Sequence, residues 1–237
     1  MIALDLSWLT QGAALWYLNR ATGLVVLVLF TLVVVGGILA TSRRTPPWWP
    51  RFGTVSLHRT LSLLALALLV VHIVSAVFDK FVDLTWMDTV VPFASSYRPF
   101  WLGLGTLAFD LFLAVLVTSL LRFRIGPTAW RSVHLLAYAA WPIAVVHGLG
   151  TGTDASTLPV LALTFGCVGL VAVAAAWRVT TVPIPLAARV ALFAVVALLP
   201  LWLSGWVRLG PLDPSWAQQA QHAIWNASIL STGAPHG

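Results

Sequence analysis

Four of the six histidines stand as two pairs in two apolar stretches, His58 and His72 in one, His134 and His147 in the other. A coordinating side chain inside lipid is costly and usually points inward, toward a functional interior. One such histidine alone is ordinarily a hydrogen-bonding partner between helices. Two pairs at near-equal spacing ask for more. The 14 residues from His58 to His72 and the 13 from His134 to His147 correspond to about 21 and 19.5 Å of helix rise. Two helices running in the same direction therefore place His58 and His134 at one level, and His72 and His147 at another. Facing imidazoles at two levels suit two stacked haem irons, each of which accepts one nitrogen from either side of the macrocycle. Zinc asks for further N, S or O ligands in a tetrahedral set, and no Cys, Asp or Glu stands at either level.

Azimuth qualifies this picture. At about 100° per residue, 14 positions leave His58 and His72 about 40° apart, on one helix face, whereas 13 positions leave His134 and His147 about 140° apart. The spacing thus predicts a departure from ideal helix near Tyr138 to Pro142, where Pro142 supplies a kink. A straight helix there would require the two haems to be rotated around the bundle.

The elements that carry these residues follow from hydropathy. Of the 237 residues, 8% are charged, against roughly 25% in soluble domains. Apolar runs long enough to cross about 30 Å of hydrocarbon cover 15–40, 56–78, 99–121, 130–149, 158–177 and 186–208. None alternates as a membrane barrel strand does, and lipid demands internally satisfied backbone, so the expected fold is all-α: a polytopic bundle of about six transmembrane helices. Residues 1–209 are read as the bundle and 210–237 as an extracytoplasmic tail. The tail segment SWAQQAQHAIWNA carries Trp216, Ala220, Ala223, Ile224 and Ala227 at helical spacing, which suggests a short amphipathic helix. Asp83 to Tyr97 is too polar to span and reads as an outward loop packed as a lid.

Charge sets the orientation. Arg43, Arg44 and Arg51 in the first loop, Arg122 and Arg124 in the third and Arg178 in the fifth mark the cytoplasmic side, while the second loop holds Asp79, Lys80, Asp83, Asp88 and Arg98 and the fourth only Asp154. Every loop then agrees with N-terminus out and C-terminus out. The net charge of +6 comes from twelve Arg and one Lys scattered over short loops, with no patch for nucleic acid. Trp16, Trp86, Trp101, Trp130 and Trp206 fall near span ends, as an aromatic belt requires. The opening MIALDLSWLT has no basic n-region, so the first span is expected to be retained rather than cleaved. Cys167 is alone in an apolar run, which excludes a disulfide, a zinc site and a CxxCH haem attachment and leaves a small core residue. No dinucleotide or P-loop motif occurs.

The segments LHRTLSLLALALLVVH (57–72) and WRSVHLLAYAAWPIAVVHGLGTGTD (130–154) resemble the ferric reductase-like transmembrane family, which includes the membrane domains of NADPH oxidases and metal reductases and the haem subunit of the methionine sulfoxide reductase system. The likeness covers about residues 15–178. It implies a cell-membrane, multi-pass electron carrier with two haems b, an inner one on His58 and His134 and an outer one on His72 and His147, passing single electrons outward from a cytoplasmic reductant. Arg20 matches an arginine that in oxidase relatives lies by the outer haem, though it would equally serve as a snorkelling anchor. Arg59 and Arg131 stand next to the inner ligands as candidate partners of haem propionates, or as ordinary positive-inside residues. Tyr138 and Trp141, between the two levels, are candidates to lie between the haems, or plain core and lipid-facing aromatics.

Without a flavin or nicotinamide domain, the chain is expected to be an oxidoreductase component, an electron-transfer subunit working with a separate flavoprotein, the quinone pool or an extracytoplasmic redox protein. Two other readings stand beside this one. A haem-free transporter or assembly factor would use the histidines as a polar relay, and paired carboxylates would favour it, but only Asp110 is placed within a span. A haem-based sensor would need an output domain.

Overall fold

The computed structural model of the chain describes residues 14–40, 51–79, 82–216 and 218. Regular structure among them is entirely helical. In order these are α1 (Ala14–Ala40), α2 (Arg51–Phe78), a 3-10 turn at Trp86–Thr89, α3 (Pro99–Leu120), α4 (Arg122–Ile125), α5 (Pro127–His134), α6 (Ala137–Thr151), α7 (Leu158–Thr181) and α8 (Leu186–Leu209). Six helices are long and apolar enough to cross a membrane, with α5 and α6 counted together as the fourth, Pro127–Thr151. The chain is a multi-pass membrane protein, and the six apolar runs begin and end within a few residues of the helices they predict. Proline stands at the start of α3, α5 and α7, where its missing N–H costs no helical bond.

The contacts divide the chain into two units, residues 1–75 with 156–209 and residues 76–155 with 210–237. In the first, α1 packs along α7 and α7 along α8. Thr31 on α1 and Thr164 on α7 are 1% and 2% exposed, the small polar residues that let helix backbones approach where lipid is the solvent. Thr31 satisfies its hydroxyl within its own helix, donating to the Leu27 carbonyl at 2.8 Å. Cys167 is a buried core residue of α7. Large apolar side chains of α8, among them Val195, Leu199 and Leu201, remain exposed, as a lipid-facing helix requires.

In the second unit α3 lies along α6 and also meets α5. The expected outward loop packs on α3: the Thr106 hydroxyl donates to the Asp88 carbonyl at 2.7 Å, and the Thr85 N–H and hydroxyl both donate to the Asp88 carboxylate. After α8, the turn Gly210–Trp216 brings Trp216 onto Trp101 of α3, ring centroids 5.1 Å apart. From Ala217 on, the proposed amphipathic tail helix lies outside the described residues except for Gln218, as do Arg43 and Arg44 and the side chain of Arg51.

The fourth span does depart from an ideal helix, but nearly two turns before Pro142. The interruption is at Leu135–Leu136, directly after His134, while α6 runs unbroken through Pro142. Three bonds there reach back three residues instead of four: Leu136 to Val133, Tyr138 to Leu135 and Ala139 to Leu136, at 2.9–3.0 Å. Each residue wound at about 120° instead of about 100° adds about 20° of turn, so three reduce the separation of His134 and His147 from about 140° to about 80°.

Candidate functional site

His72 sits half-buried on α2 against α1. Its Nδ1 lies 2.9 Å from the Asn19 backbone carbonyl, while the Asn19 side-chain amide donates to the His72 carbonyl at 2.8 Å. The same amide is also 3.3 Å from Nδ1, but the carbonyl is closer, and two acceptors would not meet at 2.9 Å. A carbonyl only accepts, so Nδ1 carries the proton and Nε2 keeps its lone pair for a metal.

The same construction recurs. His58 on α2 has Nδ1 3.0 Å from the Val33 carbonyl of α1, and His147 on α6 has Nδ1 2.9 Å from the Trp101 carbonyl of α3. In all three cases the residue four positions beyond the accepting carbonyl is glycine: Gly23 after Asn19, Gly37 after Val33, Gly105 after Trp101. In an α-helix a side chain at i+4 crowds the carbonyl of residue i, which is why Ser and Thr bond back to it. Without a Cβ the second lone pair of that carbonyl becomes reachable by a neighbouring imidazole. A methyl added to Gly23 would sit 3.0 Å from His72 Cε1 and one on Gly37 3.4 Å from His58 Cε1, while one on Gly105 would overlap the His147 ring.

His134 completes the set with a variation. In the place of a glycine stands Ser119 of α3, whose hydroxyl donates to the Val115 carbonyl at 2.7 Å. With its proton so used, the Ser119 oxygen accepts from the Trp130 indole N–H at 3.2 Å and faces His134 Nδ1 at 3.5 Å. Trp130 also lies against the His134 ring, centroids 5.1 Å apart. All four imidazoles thus turn Nδ1 toward an oxygen on a neighbouring helix, the kind of contact that orients metal-bound histidines.

The turn that begins α3 holds the end of α6 at two points. Arg98 is 4% exposed and its guanidinium donates to the carbonyls of Gly150 and Thr151 at 3.0 and 3.1 Å, a buried cation at the negative end of a helix dipole. Its backbone is left-handed, φ 41°, a conformation that a non-glycine residue keeps only when its surroundings enforce it. Three residues later the Trp101 ring lies on Gly150, where a Cβ would overlap it, and the Trp101 carbonyl holds His147.

Of the other residues picked from the sequence, Arg20 is half-buried on α1 beside Asn19, its guanidinium 5.4 Å from the Trp16 ring centre. Arg59 and Arg131 are exposed next to His58 and near His134. Trp141 is buried at 9% and Tyr138 is 50% exposed. Reasoning from the sequence missed the backing residues Asn19, Gly23, Gly37, Gly105 and Ser119, and it placed Arg98 merely in a loop. A signal existed: Gly23 and Gly37 are 14 apart on one span, equal to the spacing of His58 and His72, and Gly105 and Ser119 are 14 apart on another, one more than the spacing of His134 and His147.

Among the described residues no three His, Cys, Asp or Glu side chains gather into a metal site. A haem iron needs only two protein ligands, because the macrocycle supplies the others, and four imidazoles whose Nδ1 faces a helix-borne oxygen are a donor set of the right chemistry. Residues 22–145 match the model of a protein family described as the ferric reductase like transmembrane component. The match takes in His58, His72 and His134 and ends two residues before His147. Comparison with curated proteins and with solved structures finds no match.

Proposed function

The chain belongs to the ferric reductase-like transmembrane family, a family of membrane electron-transfer components, and from that premise we propose that it moves single electrons across a membrane through two bis-histidine haems b. His58 and His134 ligate one iron; His72 and His147 ligate the other. The observation that carries the reading is the shared set of the four rings, each with Nδ1 directed to a helix-borne acceptor.

Bound haem supplies a one-electron couple at its iron. What the chain contributes is ligation, orientation and insulation rather than acid or base catalysis. The carbonyls of Val33, Asn19 and Trp101 fix tautomer and ring direction for three ligands, so little reorganisation accompanies a change of iron charge. The apolar helices keep water and protons away from the path, which favours electron movement alone. Arg20, on the same turn of α1 as Asn19, and Arg59 and Arg131, beside the other pair, supply positive charge suited to haem propionates. The electron donor and acceptor are separate redox partners: a flavoprotein, a quinone or an extracytoplasmic redox protein. The chain is thereby an oxidoreductase subunit of the cell membrane, with both termini outside. Residues 1–209 form the haem-carrying part and 210–237 an outer tail.

A haem-free proton relay suits the site less well. Relaying requires acceptors that can take and pass on a proton, and the acceptors of three histidines are peptide carbonyls. The test is a pyridine haemochrome assay with reduced-minus-oxidised spectra on protein purified with adequate haem supply. Two low-spin haems b per chain, with one lost or altered in His72→Ala and in His134→Ala, are expected; a haem-free wild type would move the assignment to the relay.

A further inference from the structure

The segment that joins α2 to α3 carries apolar side chains where a loop in water would carry polar ones. Trp86, Met87 and Val90 are each more than half exposed, and Val91 is exposed beside them. A contiguous apolar surface of this kind marks a contact with something other than water. We propose that residues 84–93 form a re-entrant segment, with Trp86, Met87, Val90 and Val91 immersed among the acyl chains of the leaflet that surrounds the Pro99 end of α3. The proposal stands apart from haem ligation.

The depth of the segment follows from its contacts with α3. The Thr106 hydroxyl donates to the Asp88 carbonyl at 2.7 Å, and Thr106 lies two turns into the helix that Pro99 begins, about 10 Å from its start. Arg122 and Arg124 bound the other end of α3 and belong at the headgroups. Thr106 is about 24 Å from Arg122 along the helix, within the hydrocarbon thickness of about 30 Å. The chain then climbs back along α3 in direct contact, since a Cβ on Gly103 would overlap the Phe93 ring and backbone.

Lipid tolerates an irregular turn only where its backbone polar groups find partners within the protein. Here they do. The N–H groups of Asp88, Val90, Val91 and Ala94 donate to the carbonyls of Thr85, Met87 and Val91. The Thr89 hydroxyl donates to the Trp86 carbonyl, and Thr106 takes the Asp88 carbonyl. The half-buried Asp88 carboxylate accepts from both the N–H and the hydroxyl of Thr85. Polar groups are thus turned on one another and on α3, and the apolar side chains are left outward. Phe78, exposed at the end of α2, meets Trp86 edge to face with centroids 6.0 Å apart, so the apolar surface of that span continues onto the turn. A partner in water would gain nothing from a patch at this level, whereas lipid is already there.

The experiment is spin labelling of the full-length protein in phosphatidylcholine liposomes, in a Cys167→Ala background. A nitroxide is placed at Met87→Cys or Val90→Cys, and its collisions with oxygen, which concentrates in lipid, are compared with those of a nickel chelate, which stays in water. Leu113→Cys, exposed on α3, is the lipid reference and Asp154→Cys, in the loop between α6 and α7, the water reference. Labels at Met87 and Val90 should favour oxygen over nickel as the label at Leu113 does, while the label at Asp154 favours nickel. A nickel preference at Met87 and Val90 would put the turn in water. Low access to both reagents would put protein over it, a second copy or another chain, and either result overturns the proposal.

Discussion

At the scale of single residues, the positions that decide the behaviour of the histidines are the small ones behind them. A methyl group at Gly105 would occupy the space of the His147 ring, one at Gly23 would press on His72, and one at Gly37 would meet His58 at ordinary contact distance. Overpacking of this kind costs about 1–3 kcal/mol. Gly105→Ala should therefore lose or distort the low-spin spectrum of the haem assigned to His72 and His147, Gly23→Ala should perturb the same haem less, and Gly37→Ala should change little. Gly148→Ala, with open space around its Cβ although it adjoins His147, is the control and should leave both spectra unchanged. Visible and EPR spectra of the four variants check that order. The histidines were legible in the sequence because coordinating groups are rare in apolar spans. Glycine and serine are common there, so Gly23, Gly37, Gly105 and Ser119 stand out only once a neighbouring helix is known to carry a ring at the same level.

Among the elements, the fourth span shows where periodicity helped and where it fell short. A spacing of 13 predicted a departure from ideal helix near Tyr138 to Pro142 with Pro142 as the kink; a departure is present, yet Pro142 does not mark it: the i to i+3 bonds lie between Val133 and Ala139. Pro142→Ala should accordingly keep both haem spectra, whatever it does to thermal stability; loss of a low-spin haem in that variant would return the distortion to the proline. The start of α3 was legible as an Arg-Pro boundary, but not as a clamp. Nothing local distinguishes an arginine in water from one folded under its own helix, because the carbonyls it reaches belong to residues 150 and 151. Arg98→Leu leaves those carbonyls without a charged donor and should cost about 1.5–3 kcal/mol, measured by denaturant unfolding in detergent. Its spectral effect should fall on the haem of His147, whose helix end the guanidinium holds.

For the whole molecule, hydropathy was enough to set the number, limits and helical nature of the spans, since a segment in lipid has few alternatives to an α-helix. Orientation rests on charge: Arg122, Arg124 and Arg178 stand against Asp83, Asp88 and Asp154 in the loops. In a Cys167→Ala background, a membrane-impermeant thiol reagent should label Asp154→Cys and not Arg124→Cys in intact cells, and the reverse result would invert the topology. The proposed function was legible because chemistry and architecture converge, two pairs of histidines spaced over most of the thickness of the membrane. The most direct test places the purified, haem-loaded chain in sealed liposomes with ferricyanide inside and dithionite outside, and follows loss of the trapped oxidant by absorbance. Two haems ligated across the bilayer predict rapid loss in wild-type vesicles and background rates in His72→Ala and His134→Ala; equal rates in wild-type and protein-free vesicles, with both haems present, would contradict transmembrane electron transfer.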